Sequence, residues 1–146
     1  SEAGKLVENI SFTDVYDYDL KCPDITLPVV MTVSGLEQKT LAKVDTGSTA
    51  CIFERGHGEA LGLDIESGSR RSFGTVTGSF VAYGHIIGLS FLRISFDEVT
   101  VYFADDPAIR RNVLGREGWL QRLRLGIVDH DGKLYAASYN WSPRPF

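Results

Sequence analysis

The chain has 146 residues, a length that suits one domain able to bury its own core. Hydrophobic residues make up 43% and charged residues 23%, and the formal net charge is -4, which argues against a disordered chain and a nucleic-acid footprint. Two cysteines, Cys22 and Cys51, are too few for a disulfide scaffold, and no apolar run approaches the ~18 residues of a membrane span.

Residues 1–24 read as an N-terminal arm, in which Asp14, Asp17 and Asp19 interleave with Val15, Tyr16 and Tyr18 as an edge strand or a loose segment. Ile25 to Val33 reads as a strand, which Pro28 confines to a sheet edge or to the strand's beginning. Ser34-Gly35 is a turn, and Gln38 to Val44 returns, so 25–44 is a hairpin. Ala50 to Phe53 is a short buried strand, with Cys51 read first as a buried free thiol and a pairing with Cys22 left open by the sequence. Glu59 to Leu63 fits a single helical turn stopped by glycine, and Ser67 to Ser72 is turn-rich and basic.

Phe73 to Gly88 is rich in glycine and β-branched residues, the composition of a flexible hairpin. From Leu89 to Phe103 the alternation predicts two strands joined by a turn at Asp97-Glu98. Residues 115–125 are the best helix candidate, with Trp119, Leu120, Leu123 and Leu125 on one side and Gly126 as a stop. Arg110, Arg111, Arg116, Arg122 and Arg124 then read first as a solvated helix face and second as an anion site. The Asp-Gly of Asp129-His130-Asp131-Gly132 sits between two apolar runs and predicts a last hairpin, followed by an irregular tail over 138–146.

Chemistry concentrates at Val44-Asp45-Thr46-Gly47-Ser48-Thr49. Asp45 follows an apolar strand, Gly47 lets backbone approach the acid, and the hydroxyl residues can bond locally to fix its carboxyl. An Asp-initiated turn would use the same residues. Hydrolysing a peptide needs an activated water and an acid for the departing nitrogen, which two close carboxyls sharing one proton can supply. Asp45-Thr46-Gly47-Ser48 is one such half, and it occurs once. Downstream, Asn112-Val113-Leu114 leads into Gly115-Arg116.

On Val44 to Ser48, the glycine-rich hairpin at about 73–84 and Val113 to Arg116, the chain resembles the retropepsin-like aspartic peptidases. The run from Asn112 through Gly118, Trp119 and Leu120 is similar to a microbial branch of that group. The resemblance implies an all-β fold, a small closed antiparallel β-barrel of the acid-protease type with one or two short helices, one of them after Gly115. It implies a homodimer whose two Asp45 carboxyls meet at a twofold axis, with Thr46 bonding to the partner's backbone and Gly47 completing the catalytic loop. Ser48 and the hairpin residues Thr75, Val76, Thr77, Gly78 and Ser79 would contact substrate, the hairpin acting as a flap. Gly115 and Arg116 would be structural.

Two departures accompany the likeness. The stretch Ser48-Thr49-Ala50-Cys51 lacks the acids that pair with the arginine in many viral members, which leaves Glu54, Glu117, a neighbouring chain or carbonyls as partners for Arg116. The terminal segment is long, and Leu134-Tyr135-Ala136-Ala137 is the part that could knit a dimer.

The expected activity is therefore an aspartic endopeptidase acting on protein or peptide in extended form, without metal or organic cofactor. The rival is a catalytically inactive module of the same fold that binds extended peptides or mediates dimerisation; a heterodimer with a second acid from another chain is a third possibility. His57, His85 and His130 show no metal-ligand spacing, and Gly-x-Ser-x-Gly and phosphate-loop motifs are absent. With few cysteines and no secretory signal, the expected setting is cytoplasmic.

Overall fold

The computed structural model describes residues 4–143, so 1–3 of the expected arm and 144–146 of the expected tail lie outside the described residues. In chain order the strands begin with β1 (Asp14–Asp17), β2 (Thr26–Val33), β3 (Leu36–Val44) and β4 (Ile52–Phe53). A short helix, α1 (Arg55–Ala60), precedes β5 (Ser69–Thr75), β6 (Gly78–Phe91) and β7 (Ile94–Ala104). The chain ends with β8 (Val113–Leu114), β9 (Leu123–Val128) and β10 (Lys133–Ser138).

The main sheet runs β2-β3-β8-β4-β7-β6-β5, and β2 also pairs with β6. That second pairing closes six strands into a ring, with β5 hanging on β6 as the outer arm of a hairpin. Closure removes most open sheet edges. The pairings are antiparallel except β3 with β8 and β4 with β7. A separate sheet, β1-β10-β9, packs onto the ring, and Tyr18, Leu123, Leu134 and Ala136 share one core with Leu27, Met31, Phe53, Phe103 and Trp119.

Local sequence accounts for the β2–β3 hairpin. Leu27, Val29 and Met31 alternate inward, while Ser34 (φ 48°) and Gly35 (φ 83°) both take the positive φ that a two-residue type I′ turn requires. β6 pairs with β2 only over Val30–Thr32, so Pro28 lies where no second ladder needs its missing N–H.

Several expectations are corrected by the structure. The helical turn lies at Arg55–Ala60, earlier than Glu59 to Leu63, and it packs closely through Gly58, where a Cβ would come within 2.5 Å of Ile65 and 2.9 Å of the Phe103 ring. Gly62, at φ +79°, still ends it. Ser69 to Ser72 is strand, the first half of β5. Asp97 and Glu98 are not a turn but a bulge, since β6 pairs Ile87 with Val99 and Leu89 with Phe96, leaving both acids opposite Gly88. The true turn is Leu92-Arg93, with Leu92 at φ 52°.

The helix over 115–125 does not form, and the arginines of that region are not a helix face. Gly118 adopts φ +86°, Leu120–Arg122 make a single 3₁₀ turn, and Leu123 onward is strand β9. The segment 134–137 lies in β10, whose two edges are taken by β1 and β9 within the same chain, so it offers no edge to a partner strand. Arg93 joins the two sheets: its backbone N–H donates to Asp14 Oδ2 at 2.9 Å, and Nη2 donates to the Thr13 carbonyl at 2.7 Å.

Candidate active site

The Asp45 loop leaves β3 and enters β4, and β8 threads between those two strands. Asp45 N–H donates to the Leu114 carbonyl at 3.0 Å, continuing the parallel ladder that pairs Val44 with Leu114. Ser48 N–H donates to the Asp45 carbonyl (3.1 Å) and closes the turn, while Gly47 N–H donates to Asp45 Oδ1 at 3.1 Å. The far side of the loop is held by Arg116 N–H to the Ser48 carbonyl (2.9 Å) and Glu117 N–H to the Thr49 carbonyl (2.8 Å). The loop is thus fixed by backbone bonds to a segment some seventy residues later.

Gly115 is required by this crossing, because a Cβ there would stand 2.2 Å from the Ala50 carbonyl oxygen and 2.7 Å from that of Ser48. Beneath the loop, Cys51 is fully buried; its Sγ accepts from Gly115 N–H at 3.4 Å and faces the Glu117 carbonyl at 3.6 Å. Burial pushes the Cys51 thiol up to about 11, only partly opposed by the Gly115 N–H, so it stays protonated and donates to that carbonyl.

Asp45 is half-buried at the edge of an open cleft of about 410 Å³. Its only side-chain hydrogen bond among the described residues is the one to Gly47, which leaves Oδ2 unengaged. Asp24, Lys43, Arg110, Arg111 and Asn112 line the same cleft. Lys43 pairs with Asp24 at 3.4 Å, and Arg110 pairs with Glu54 at 2.8 Å.

One wall is fixed by a reciprocal clasp. Glu54 N–H donates to Asn112 Oδ1 (3.2 Å), and Asn112 Nδ2 donates back to Glu54 Oε2 (2.5 Å). The Asn112 carbonyl in turn accepts from Lys43 N–H at 2.8 Å. Sequence reasoning did not find this pairing; the one local signal is a carboxylate, Glu54, directly after the apolar Ile52-Phe53.

Thr46 is exposed and makes no side-chain hydrogen bond among the described residues. Ser48 is half-buried, and its hydroxyl donates inward to the Ala50 carbonyl at 2.8 Å. Arg116 is exposed with no ion pair among the described residues; Glu54 is taken by Arg110, and Glu117 by Arg71 at 3.0 Å.

Thr75, Val76, Thr77, Gly78 and Ser79 form the tip of the β5–β6 hairpin, where Thr75 pairs with Gly78 across Val76-Thr77. Val76 is fully solvent-exposed, and no hydrogen bond or ion pair joins the tip to residues 45–48 among the described residues. Behind the tip the hairpin is stiffened by Phe73 stacked on Phe80 (5.6 Å) and by Arg71, whose guanidinium lies 4.9 Å from the Phe73 ring. Among the described residues no cluster of three or more His, Cys, Asp or Glu side chains could hold a metal ion, and no helix is long and apolar enough to cross a membrane.

A family model described as aspartyl protease matches residues 29–117. The fold is similar to that of a retropepsin-like aspartic protease from Rickettsia conorii, with a TM-score of 0.61 and 16% identity over 88% of this chain and 100% of that one. A weaker likeness, TM-score 0.46 and 19% identity over 62% of this chain and 80% of the other, links it to EIAV protease complexed with the inhibitor HBY-793. No curated protein matches the sequence. The Rickettsia likeness establishes a retropepsin-like fold.

Proposed function

The chain belongs to the aspartyl protease family, and from that premise we propose that it is an aspartic endopeptidase whose active site forms between two copies, each contributing Asp45. The observation that carries this reading is the state of Asp45. Its Oδ1 is anchored to Gly47 N–H, its Oδ2 is unengaged, the residue lines an open cleft, and among the described residues no second carboxyl bonds to it. The two-carboxyl mechanism needs an ionised group to activate water and a protonated one to polarise the carbonyl at the same moment, and one Asp45 supplies only one of them.

In the pair, one Asp45 is protonated and the other ionised, and their titration belongs to the pair. The ionised carboxylate takes a proton from water as the oxygen attacks the scissile carbonyl, while the protonated one polarises that carbonyl; a proton then passes to the departing nitrogen as the C–N bond breaks. The Gly47 N–H orients the carboxyl by donating to its Oδ1. Thr46, with its hydroxyl unengaged in one chain, suits a bond to the partner's backbone. The β5–β6 hairpin serves as the flap over an extended peptide, and Ser48, Gly115 and Arg116 act by shaping the loop.

The test is cleavage of casein by the wild type and by Asp45→Asn across mildly acidic to neutral pH. Loss of cleavage with an unchanged melting temperature is expected. Cleavage by Asp45→Asn at the wild-type rate would overturn the reading.

A further inference from the structure

We propose that Arg111 selects a carboxylate side chain in an extended peptide held in the Asp45 cleft; this rests on the peptidase reading given above. Three cations line the cleft, and two are already neutralised: Lys43 by Asp24 at 3.4 Å and Arg110 by Glu54 at 2.8 Å. Arg111 has no carboxylate partner among the described residues and is exposed. Its guanidinium carbon lies 5.4 Å from the centroid of the Phe80 ring, which belongs to the β5–β6 hairpin.

An arginine resting on an aromatic ring keeps its edge donors available, and those donors match a carboxylate in bidentate fashion. The side chain is also held at its base, because the next residue, Asn112, is locked by the Glu54 clasp. Positioned between hairpin and cleft floor, Arg111 therefore meets the substrate from the side where the hairpin closes. An acidic side chain near the scissile bond satisfies the one cation of the cleft that the chain leaves unmatched, whereas a basic side chain adds to it.

The experiment uses octapeptides acetylated and amidated at their ends, with Glu or Gln placed at each position in turn around an apolar centre. Binding is measured to Asp45→Asn protein, and kcat/KM is measured with the wild type. At one position Glu is expected to be favoured over Gln by roughly threefold to tenfold, as for a partly solvated ion pair. Arg111→Glu and the milder Arg111→Gln should abolish that preference, and high salt should weaken it. Lys21→Glu, with the same charge change as Arg111→Glu at an exposed residue between β1 and β2, should keep it. Equal binding of Glu and Gln peptides at every position overturns the proposal, as does a preference that survives both Arg111 substitutions. If no peptide is cut but Arg111 still dictates binding, the peptidase reading fails while the carboxylate selection stands.

Discussion

A methyl group at position 115 would sit 2.2 Å from one carbonyl oxygen and 2.7 Å from another, both in the loop that carries Asp45. Backbone cannot step aside as a flexible side chain can. Gly115→Ala should therefore destabilise the fold by about 3 kcal/mol, the upper end for overpacking, and should reduce activity beyond what the lost folded fraction explains. Thermal melts and casein cleavage on the folded fraction measure the two effects; a change below about 1 kcal/mol would show that the crossing of β8 under the loop is looser than described. Cys51, a few ångströms away, is expected to resist alkylation in the native protein while half-buried Cys22 reacts, so thiol titration should count one group before unfolding and two after. Because burial raises the Cys51 pKa from 9.0 to about 11, its contribution to stability is present below pH 9 and is lost as pH climbs toward 11. Replacing Cys51 by alanine should remove that alkaline component of the stability profile.

Between elements, the contact of Arg93 with Asp14 is the clearest tie, since it joins the turn after β6 to the edge strand of the other sheet. Burial tends to raise the Asp14 pKa, but the Arg93 backbone N–H, the Thr13 hydroxyl and the Arg93 guanidinium outweigh it, and the carboxyl is held below its ordinary 3.8. A depressed carboxylate stabilises the fold above that ordinary value and loses its contribution as pH falls through the lower, folded-state value. The melting-temperature gap between wild type and Asp14→Asn should thus be constant from pH 7 to about 5 and shrink below pH 3.8; a gap independent of pH would remove the charge from the account. This junction, like the Glu54–Asn112 clasp, was illegible in the sequence because its partners are far apart in the chain and meet only through tertiary register. The β2–β3 hairpin was legible because inward Leu27, Val29 and Met31 alternate on either side of a turn pair that takes positive φ. Asp97-Glu98 misled for the opposite reason: a pair of acids inside an apolar alternation reads as a turn, yet a bulge opposite Gly88 keeps both in solvent without ending the strand. Around Trp119 the leucines mimic a helical stripe, but Gly118 at φ +86° breaks it, and Leu123 with Leu125 follow strand spacing instead. Asp45 and Gly115 could be picked out because their chemistry is carried by adjacent residues. Arg111 could not be assigned a place until Phe80 was brought beside it.

At the scale of the molecule, the ring carries one Asp45 at a cleft whose other acid, Asp24, is already paired with Lys43, so the proposed activity requires encounter between copies. Specific activity should rise with protein concentration before levelling off, in step with a monomer–dimer shift seen by sedimentation. Mixing wild type with an excess of Asp45→Asn should suppress activity more than dilution alone, since mixed pairs hold one carboxyl. Full specific activity in a strictly monomeric preparation would sink the shared site. The thread of β8 between β3 and β4 adds a constraint in time. Asp45 has been synthesised, and β3 can pair with β2, long before Val113 and Leu114 exist to hold the loop. Contacts between residues so distant in the chain form late and slowly. A nascent chain halted before residue 113 therefore carries the acid but not the arrangement, and the proposed proteolytic power stays latent until residues 113–117 have arrived.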